Sequence, residues 1–385
     1  MNSETGTSRL STPGGPVTRG ERITNLDTIR GWATLGILLM NVVSFALPAA
    51  AYFNLDGGGS DTWLDWVIGM AGEVFADQKM MGLFSLLFGA GVALFADRTA
   101  AKGGSPVGLS LWRNLLLLGI GFLHALLWDG DILMVYAMAS PFVVLLRNRR
   151  PRTLIITGVG IFVLAVITGL ATATTVSPDG AELGELWSND PGAEMSDTVG
   201  LWFLVEFGGR ALGMMLIGVA MFRLRILDGT RDPAADRRMA VWGLGLGLPV
   251  AAIAVAILAI NDFDPQWFLP THVMNTAATI PVVLGYVGVI SLWNRRGDGP
   301  LHERIRAVGR MALTNYLTQT LLGVLVLANL FDAEELSRTG ALVFVLAVWA
   351  LQLAWSKPWL ERFRFGPFEW AWRVLTYRKI QPIRR

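Results

Sequence analysis

Long apolar stretches, separated by short polar segments, are the dominant pattern along the chain. A helix that crosses a membrane needs about 20 mostly apolar residues. The pattern therefore predicts an all-α fold, a polytopic transmembrane helix bundle of about ten spans. The ten predicted spans are approximately Gly31–Leu47, Met80–Ala96, Leu111–Leu127, Ile132–Leu146, Leu154–Thr172, Leu201–Phe222, Met239–Ile260, Val273–Trp293, Met311–Leu330 and Ala341–Trp355.

The segment 61–78, between the first two predicted spans, is amphipathic. Projected at 100° per residue, its acidic and apolar side chains fall on opposite arcs of a helix. The acidic arc holds Asp61, Asp65, Glu73 and Asp77, and the apolar arc holds Trp63, Leu64, Val67, Val74 and Phe75. This predicts a helix that lies at the outer surface or folds back into the bundle.

The positive charges are distributed unevenly over the loops. All but three of the 32 Lys and Arg residues lie before the first span, after the tenth, or in every second loop between them, with Arg113, at the start of the third span, counted with the loop that precedes it. The exceptions are Lys79, Arg210 and Arg338. Because basic loops stay in the cytoplasm, this alternation predicts ten spans with both chain termini inside.

This topology divides the chain into a cytoplasmic N-terminal segment (1–30), a membrane half with spans one to six (31–222) and a second half with spans seven to ten (223–385). The outer loop 173–200 carries acidic residues and no base, which predicts a solvated cap or, alternatively, a cation-attracting vestibule. The tail 356–385 mixes arginine with Phe and Trp and is predicted to lie at the inner membrane surface.

Composition narrows the chemistry. Hydrophobic residues make up 53% and charged residues 16% of the chain, and the latter is well below the roughly 25% of soluble proteins. The chain has no cysteine, which excludes disulfides and thiolate chemistry. It has only three histidines and no close pair of them, so we predict no metal site. The predicted partners are the lipid bilayer and a small-molecule, sugar or lipid substrate, with no nucleic acid.

A candidate catalytic group lies near the outer end of the third span, in GFLHALLWDGDIL. His124 is followed within two helical turns by Asp129 and Asp131. An imidazole beside a carboxylate is suited to general-base catalysis. We therefore predict His124, Asp129 and Asp131 as catalytic residues, with a hydrogen-bonded core histidine as the alternative.

Candidate substrate-binding residues lie in other spans. Glu206 and Arg210 share one helix face at i, i+4 in the sixth span, and His272 follows the seventh span on the same outer side. Ionisable groups inside a membrane are expensive and are therefore functional candidates. We predict that they surround one outward-opening cavity together with His124. Asn315 and Gln319 in the ninth span either line a polar cavity or bond neighbouring helices.

The motifs RITNLDTIRGWATLGILLMNV, KMMGLFSLLFGAGVALF and GFLHALLWDGDILMVYA resemble the YeiB family of bacterial inner-membrane proteins. GRMALTNYLTQTLL and RFRFGPFEWAWRVLTY are similar to that family's C-terminal domain of unknown function. The resemblance covers about Arg22 to Tyr377. It implies a multi-pass protein of the bacterial cytoplasmic membrane.

The LDxxRG entry to the first span also resembles membrane-bound acyltransferases of the heparan glucosaminide acetyltransferase and sugar O-acetylating types. That resemblance implies transfer from cytoplasmic acyl-CoA, with Arg30 as a contact for the cofactor. Asn41 stands where the O-acetylating type has a catalytic histidine, and no histidine lies between Asn41 and Lys79. His124 would then take the base role.

Three functions are consistent with these patterns. The first is an acyltransferase that moves an acyl group from cytoplasmic acyl-CoA to an extracytoplasmic acceptor. The second is a transporter or lipid flippase that uses the charged residues of the sixth span and the polar ninth span. The third is a non-catalytic membrane scaffold or sensor. The sequence leaves the substrate and the oligomeric state open.

Overall fold

The computed structural model describes residues 23–327, 329, 331 and 335–385. Arg9, Arg19 and Arg22, which contribute to the predicted cytoplasmic N-terminal segment, lie outside the described residues. The described ranges contain thirteen α-helices, and a π-helical turn, Gly323–Leu327, continues α11. The helices are α1 Thr24–Ala46, α2 Trp63–Phe75, α3 Lys79–Ala101, α4 Pro106–Ala125, α5 Leu133–Leu146, α6 Pro151–Ala173, α7 Asp197–Arg223, α8 Pro233–Ile260, α9 Phe268–Asn294, α10 Pro300–Arg310, α11 Ala312–Leu322, α12 Arg338–Arg362 and α13 Pro367–Tyr377.

The all-α fold is confirmed. Eight helices are long and apolar enough to cross a membrane, and two shorter apolar helices occupy Leu133–Leu146 and Ala312–Leu327. Each of the ten predicted spans overlaps one of these ten segments. About ten passes are therefore consistent with the structure.

Several helices begin before their apolar runs because polar caps and prolines set their first turns. Ser105 accepts a hydrogen bond from Gly108 N ahead of Pro106, and Asp232 accepts one from Ala234 N ahead of Pro233. A side-chain oxygen at the cap satisfies a free backbone N–H, and proline fits the first helical position. The spans predicted from hydropathy alone therefore begin later in the chain than the helices do.

The bundle has two chemically different ends. At the end that we call the basic end, Arg223 pairs with Asp97, Arg304 donates to Leu353 O, and Trp112 donates to Leu375 O. These contacts join loops and segments that the charge pattern assigned to the inside. The assignment of this end to the cytoplasm rests on that charge pattern.

The opposite end, which we call the acidic end, gathers the segments predicted to lie outside. Asn189 of the acidic loop donates to Gly57 O, and Arg338 donates to Ser60 Oγ. Asp65 accepts hydrogen bonds from the backbone and hydroxyl of Thr339. The loops that alternate in charge along the sequence thus also separate in space.

The amphipathic helix α2 presents its polar arc to the bundle. Asp65 is 1% exposed, whereas Trp63 on the apolar arc is 76% exposed. Asp65 contacts Thr339 of α12, as expected for the predicted placement in which the helix folds back into the bundle. An outward apolar face suits a helix whose outer surroundings are lipid rather than water.

The helices form an inner and an outer set. More than half of the residues in the apolar windows of α1, α3, α7 and α9 are buried, against less than a third in α4, α6, α8 and α12. At the centre, Gly218 of α7 lies directly on Leu86 O of α3, where a Cβ atom would collide. Small residues let two helix backbones approach in this way. The long central helix α3 also forms one wall of the cavity described below.

Candidate active site and the cavity at the basic end

A buried imidazole–carboxylate pair lies where α4 ends. His124 Nδ1 donates to Asp131 Oδ1 at 2.8 Å, and Asp131 Oδ2 accepts from Met134 N in the first turn of α5. His124 is 6% and Asp131 7% exposed. The backbone bond fixes the carboxylate, and the carboxylate fixes the hydrogen of the imidazole on Nδ1. In the neutral imidazole Nε2 then has a free lone pair, and it forms no hydrogen bond with any residue that the structure describes.

The second predicted acid is placed differently. Asp129 is exposed at the acidic end, two residues before the buried Asp131. The turn between α4 and α5 directs only Asp131 back to the imidazole. The structure therefore brings together His124 and Asp131 and leaves Asp129 outside the pair.

Aromatic rings surround the imidazole. The ring centre of Tyr316, from α11, lies 5.3 Å from that of His124, and the ring centre of Trp128 lies 5.9 Å away. Tyr316 is 1% exposed. These rings remove water from the imidazole on the sides that they cover, which strengthens its interaction with Asp131.

A cavity of about 490 Å³ runs from the basic end into the bundle. Along α3 its lining extends from Thr99 to Phe84, a length of about 22 Å at 1.5 Å per residue. Its deeper walls are apolar, with Phe88, Leu117 and Leu133 among them. The volume falls within the range of ligand pockets.

Basic residues dominate the polar lining of this cavity, and Glu369 is the one acidic residue among the described residues that line it. The predicted cofactor residue Arg30 is among them and is held by Asp27 at 3.3 Å. The Arg113 guanidinium lies between two aromatic rings, 4.4 Å from Phe95 and 4.1 Å from Trp372. The basic lining residues are Arg30, Arg98, Lys102, Arg113, Arg310 and Arg373.

Tyr316 connects the cavity with the imidazole. It lines the cavity on one side and packs against His124 on the other. The catalytic candidate is therefore separated from the end of the cavity by one aromatic side chain. The sequence pattern did not single out Tyr316, although it stands between two residues of the polar stripe in TNYLTQ.

The predicted substrate residues of the sixth span form a separate buried group. Arg210 Nη2 lies 3.4 Å from Glu206 Oε2, and His272 Nε2 lies 3.7 Å from Glu206 Oε1. Thr276 also donates to Glu206 Oε1 at 3.1 Å. No hydrogen bond or ion pair joins the described residues of this group to His124 or Asp131. The described contacts thus form two groups, and the outward-opening cavity shared by both groups stays a prediction.

Asn315 and Gln319 bond neighbouring helices. Asn315 donates to Val308 O and Ser356 Oγ, and Gln319 donates to Thr34 O and Gln352 Oε1. Both side chains are buried. These contacts agree with the predicted role of bonding neighbouring helices, and not with the alternative of lining a polar cavity. They hold α11 in place and so position Tyr316.

Apolar helices sufficient for about ten passes, with a buried polar site among them, define a multi-pass membrane protein. Residues 221–379 match the model of a protein family of unknown function, DUF418. The chain is 33% identical to the uncharacterized protein YeiB of Escherichia coli over 94% of its own length and 98% of that protein. The chain belongs to the YeiB family.

Two further relatives share the full-length match. The uncharacterized protein YxaH of Bacillus subtilis is 29% identical over 96% of this chain and 97% of its own. The uncharacterized 39.9 kDa protein in the amylase 3′ region of Bacillus acidopullulyticus is 28% identical over 96% and 97%, respectively. These similarities extend over both membrane halves.

Proposed function

We propose that this protein is a membrane acyltransferase of the bacterial cytoplasmic membrane, with its basic end in the cytoplasm. It moves an acyl group from cytoplasmic acyl-CoA to an acceptor on the extracytoplasmic side. One observation carries the proposal: a basic-rimmed cavity leads from the basic end to Tyr316, and Tyr316 packs against the His124–Asp131 pair. In this proposal both chain termini lie in the cytoplasm, as the charge pattern of the loops predicts.

The cavity suits the donor in charge and polarity. Arginine and lysine at the rim attract phosphates, and Arg binds them through paired hydrogen bonds. Apolar walls farther in suit the uncharged arm that carries the thioester. For the thioester carbonyl to reach His124, the ring of Tyr316 has to turn aside.

The chemistry follows from the free Nε2. It takes the proton of an acceptor hydroxyl or amine while the acceptor atom attacks the thioester carbonyl carbon. The C–S bond breaks, and the imidazolium returns the proton to the leaving thiolate. Asp131 stabilises the imidazolium while it exists. The products are the acylated acceptor and free CoA.

The test is transfer from radiolabelled acyl-CoA by the purified protein in lipid vesicles, over a panel of sugar, lipid and amine acceptors. Losing a general base slows a reaction by about 10²–10⁴-fold, so we expect His124→Ala to lose most transfer while remaining folded. His302→Ala is the matched control, because His302 stacks on Trp293 away from the cavity. Transfer by His124→Ala at the wild-type rate would remove this residue from the mechanism.

A transporter is the second candidate, because of the buried charges of α7. Arg210 is 4% exposed, and its Nε and Nη1 donate no hydrogen bond to a described residue. Buried charges inside a membrane mark substrate paths in transporters. Absence of acyl-CoA binding to the wild-type protein, together with uptake into vesicles that Arg210→Gln abolishes, would favour this function.

A further inference from the structure

A second cavity, of about 270 Å³, lies at the acidic end between α1, α2 and α12, and we call it the outer cavity. Its lining includes residues of α1 between 39 and 43 and residues of α12 between 338 and 345. At 1.5 Å per residue, both stretches lie within about 10 Å of the ends of their helices. This depth falls within one half of a hydrocarbon core that is about 30 Å thick. The outer cavity therefore lies at the level of one lipid leaflet.

Apolar side chains form the walls of the outer cavity. Met40 and Val42 of α1 line it, as do Ala341 and Val345 of α12, and all four are buried. Phe75, at the end of α2, lines the same cavity and is 50% exposed. The outward face of α2 is also apolar and suits contact with lipid. These walls favour a hydrocarbon chain over a soluble polar ligand.

Glu73 and Asp77 give the outer cavity an acidic side. The two residues are four positions apart, at the end of α2 and just beyond it. Asn275 donates to Asp77 Oδ2 at 3.0 Å, which ties this carboxylate to α9. A carboxylate only accepts hydrogen bonds, and it has about four positions for them. The two acids can therefore accept hydrogen bonds from a ligand as well as from the protein.

The bases near these acids donate their hydrogen bonds to other groups. Arg338 donates to three oxygens of the segment 51–60, and Lys79 donates to Glu73 O and to Asn275 Oδ1. Among the described residues, no ion pair joins either base to the two carboxylates of the outer cavity. The charges of both bases still act on Glu73 over a longer distance. Hydrogen bonding, and not an excess of negative charge, therefore selects the ligand.

We propose that the outer cavity binds a membrane lipid with a primary amine in its headgroup. The apolar walls hold part of one chain, and the ammonium group donates hydrogen bonds to Glu73 and Asp77. An ammonium group has three donors and no acceptor, and its hydrogen bonds to carboxylates are stronger than those between neutral groups. The outer cavity shares no described lining residue with the cavity at the basic end, so this binding site is separate from the proposed acyl transfer.

Gly72 offers a way to fill the outer cavity. It lines the cavity, and a Cβ atom there would meet no described atom within 4 Å. Leucine suits a helix better than glycine does, so Gly72→Leu should fold while taking up space that the chain needs. Gly119→Leu is the matched control, because Gly119 of α4 has the same free space and lines neither cavity.

The probe is a phosphatidylethanolamine with a photoreactive diazirine in one acyl chain, added to the full-length protein in nanodiscs of phosphatidylcholine. After illumination, mass spectrometry locates the labelled residues. We expect label within 39–43 and 341–345, reduced about tenfold in Gly72→Leu and unchanged in Gly119→Leu. Equal labelling of these residues in the wild type and Gly72→Leu would overturn the site, as would label confined to α4, α6 and α8.

A phosphatidylcholine probe with the same photoreactive chain tests the headgroup, because it has the same phosphate and no N–H donor. Loss of charge-assisted hydrogen bonds weakens binding by about tenfold or more, so we expect the amine probe to label the outer cavity about tenfold more. Glu73→Gln should reduce this preference, and Asp77→Asn is the second variant if Glu73→Gln does not fold. Equal labelling of the wild type by the two probes would overturn the amine assignment.

Soluble phosphoethanolamine separates the lipid from its headgroup alone. We expect it not to compete with the probe, because it has no chain for the apolar walls. Full competition by this compound would overturn the lipid as the occupant. The assay involves no acyl transfer, so absence of the proposed reaction would leave the lipid site standing, and absence of lipid binding would leave the proposed reaction standing.

Discussion

The hydrogen bond from His124 Nδ1 to Asp131 determines what the imidazole can do. In the neutral imidazole it leaves the lone pair of Nε2 available, and the carboxylate that orients the ring also accepts a hydrogen bond from Met134 N. Only two residues separate Asp131 from Met134, but His124 and Asp131 meet only because α4 ends between them. The sequence predicted Asp129 and Asp131 alike as partners of His124, and the fold of this turn brings only Asp131 to the imidazole.

We expect Asp131→Asn to reduce acyl transfer by about 10²–10⁴-fold, because an amide at this position favours the wrong imidazole tautomer. Transfer and thermal unfolding are measured on the same preparation, so that loss of chemistry is distinguished from loss of fold. Asp129→Asn changes the exposed carboxylate of the same turn and should leave the rate near wild type. A larger loss from Asp129→Asn than from Asp131→Asn would contradict this assignment.

Glu369 is one of the residues that hold α13 to the bundle. Glu369 Oε1 accepts from Thr314 N at 3.0 Å, and Oε2 accepts from the Thr314 hydroxyl at 2.5 Å. Burial raises the pKa of Glu369, against the lowering effect of these hydrogen bonds. A carboxyl group with a raised pKa in the folded state favours folding at low pH, and this contribution is lost as the pH rises through that pKa.

We therefore expect the docking of α13 to weaken as the pH rises above the ordinary range of a glutamate. Amide hydrogen exchange of residues 367–377, corrected for its intrinsic pH dependence, measures the effect. Glu369→Gln cannot ionise and should remove the pH dependence. The same pH dependence in that variant would assign it to another group.

The existence and order of the apolar helices could be predicted from the sequence, because hydropathy reports how well a segment suits lipid. The polar helix α10 was not predicted, because it lies in a basic loop between two spans. The orientation of α2 could not be predicted, because either its acidic or its apolar arc could face the bundle. The contact that decides it joins Asp65 to Thr339, which lies far along the chain. Likewise, Arg30 could be proposed as a phosphate contact from its motif. Its companion Arg310 reaches the same cavity only through the close contact of α1 with α10.

Across the whole molecule, the loops sort by charge onto two ends. Asn189 contacts Gly57 and Ala50 at the acidic end, whereas Gly229 lies against Asn25 at the basic end. A chain with no natural cysteine permits a direct test of their sides.

We expect single cysteines introduced by Asp190→Cys and Thr230→Cys to lie on opposite sides of the membrane. A membrane-impermeant maleimide added to intact cells should label Asp190→Cys alone, and permeabilised cells should show both. Both positions are exposed, which makes them accessible to the reagent. Labelling of Thr230→Cys in intact cells would place the basic end outside and contradict the positive-inside assignment.

The cavity has an electrical consequence. The hydrocarbon core of a bilayer is about 30 Å thick, and the cavity lining follows α3 for about 22 Å. If the cavity is filled with water and ions, the electrical potential close to Tyr316 equals that of the cytoplasm. Most of the membrane voltage would then fall across the thin layer that contains His124 and Asp131. In the proposed reaction, the proton of an outer acceptor ends on the CoA thiol inside while the acyl group moves outward, so the donor and the acceptor each keep their charge. Acyl transfer would then be electroneutral overall, and the membrane voltage would act only on charge that is displaced transiently, such as the proton on His124.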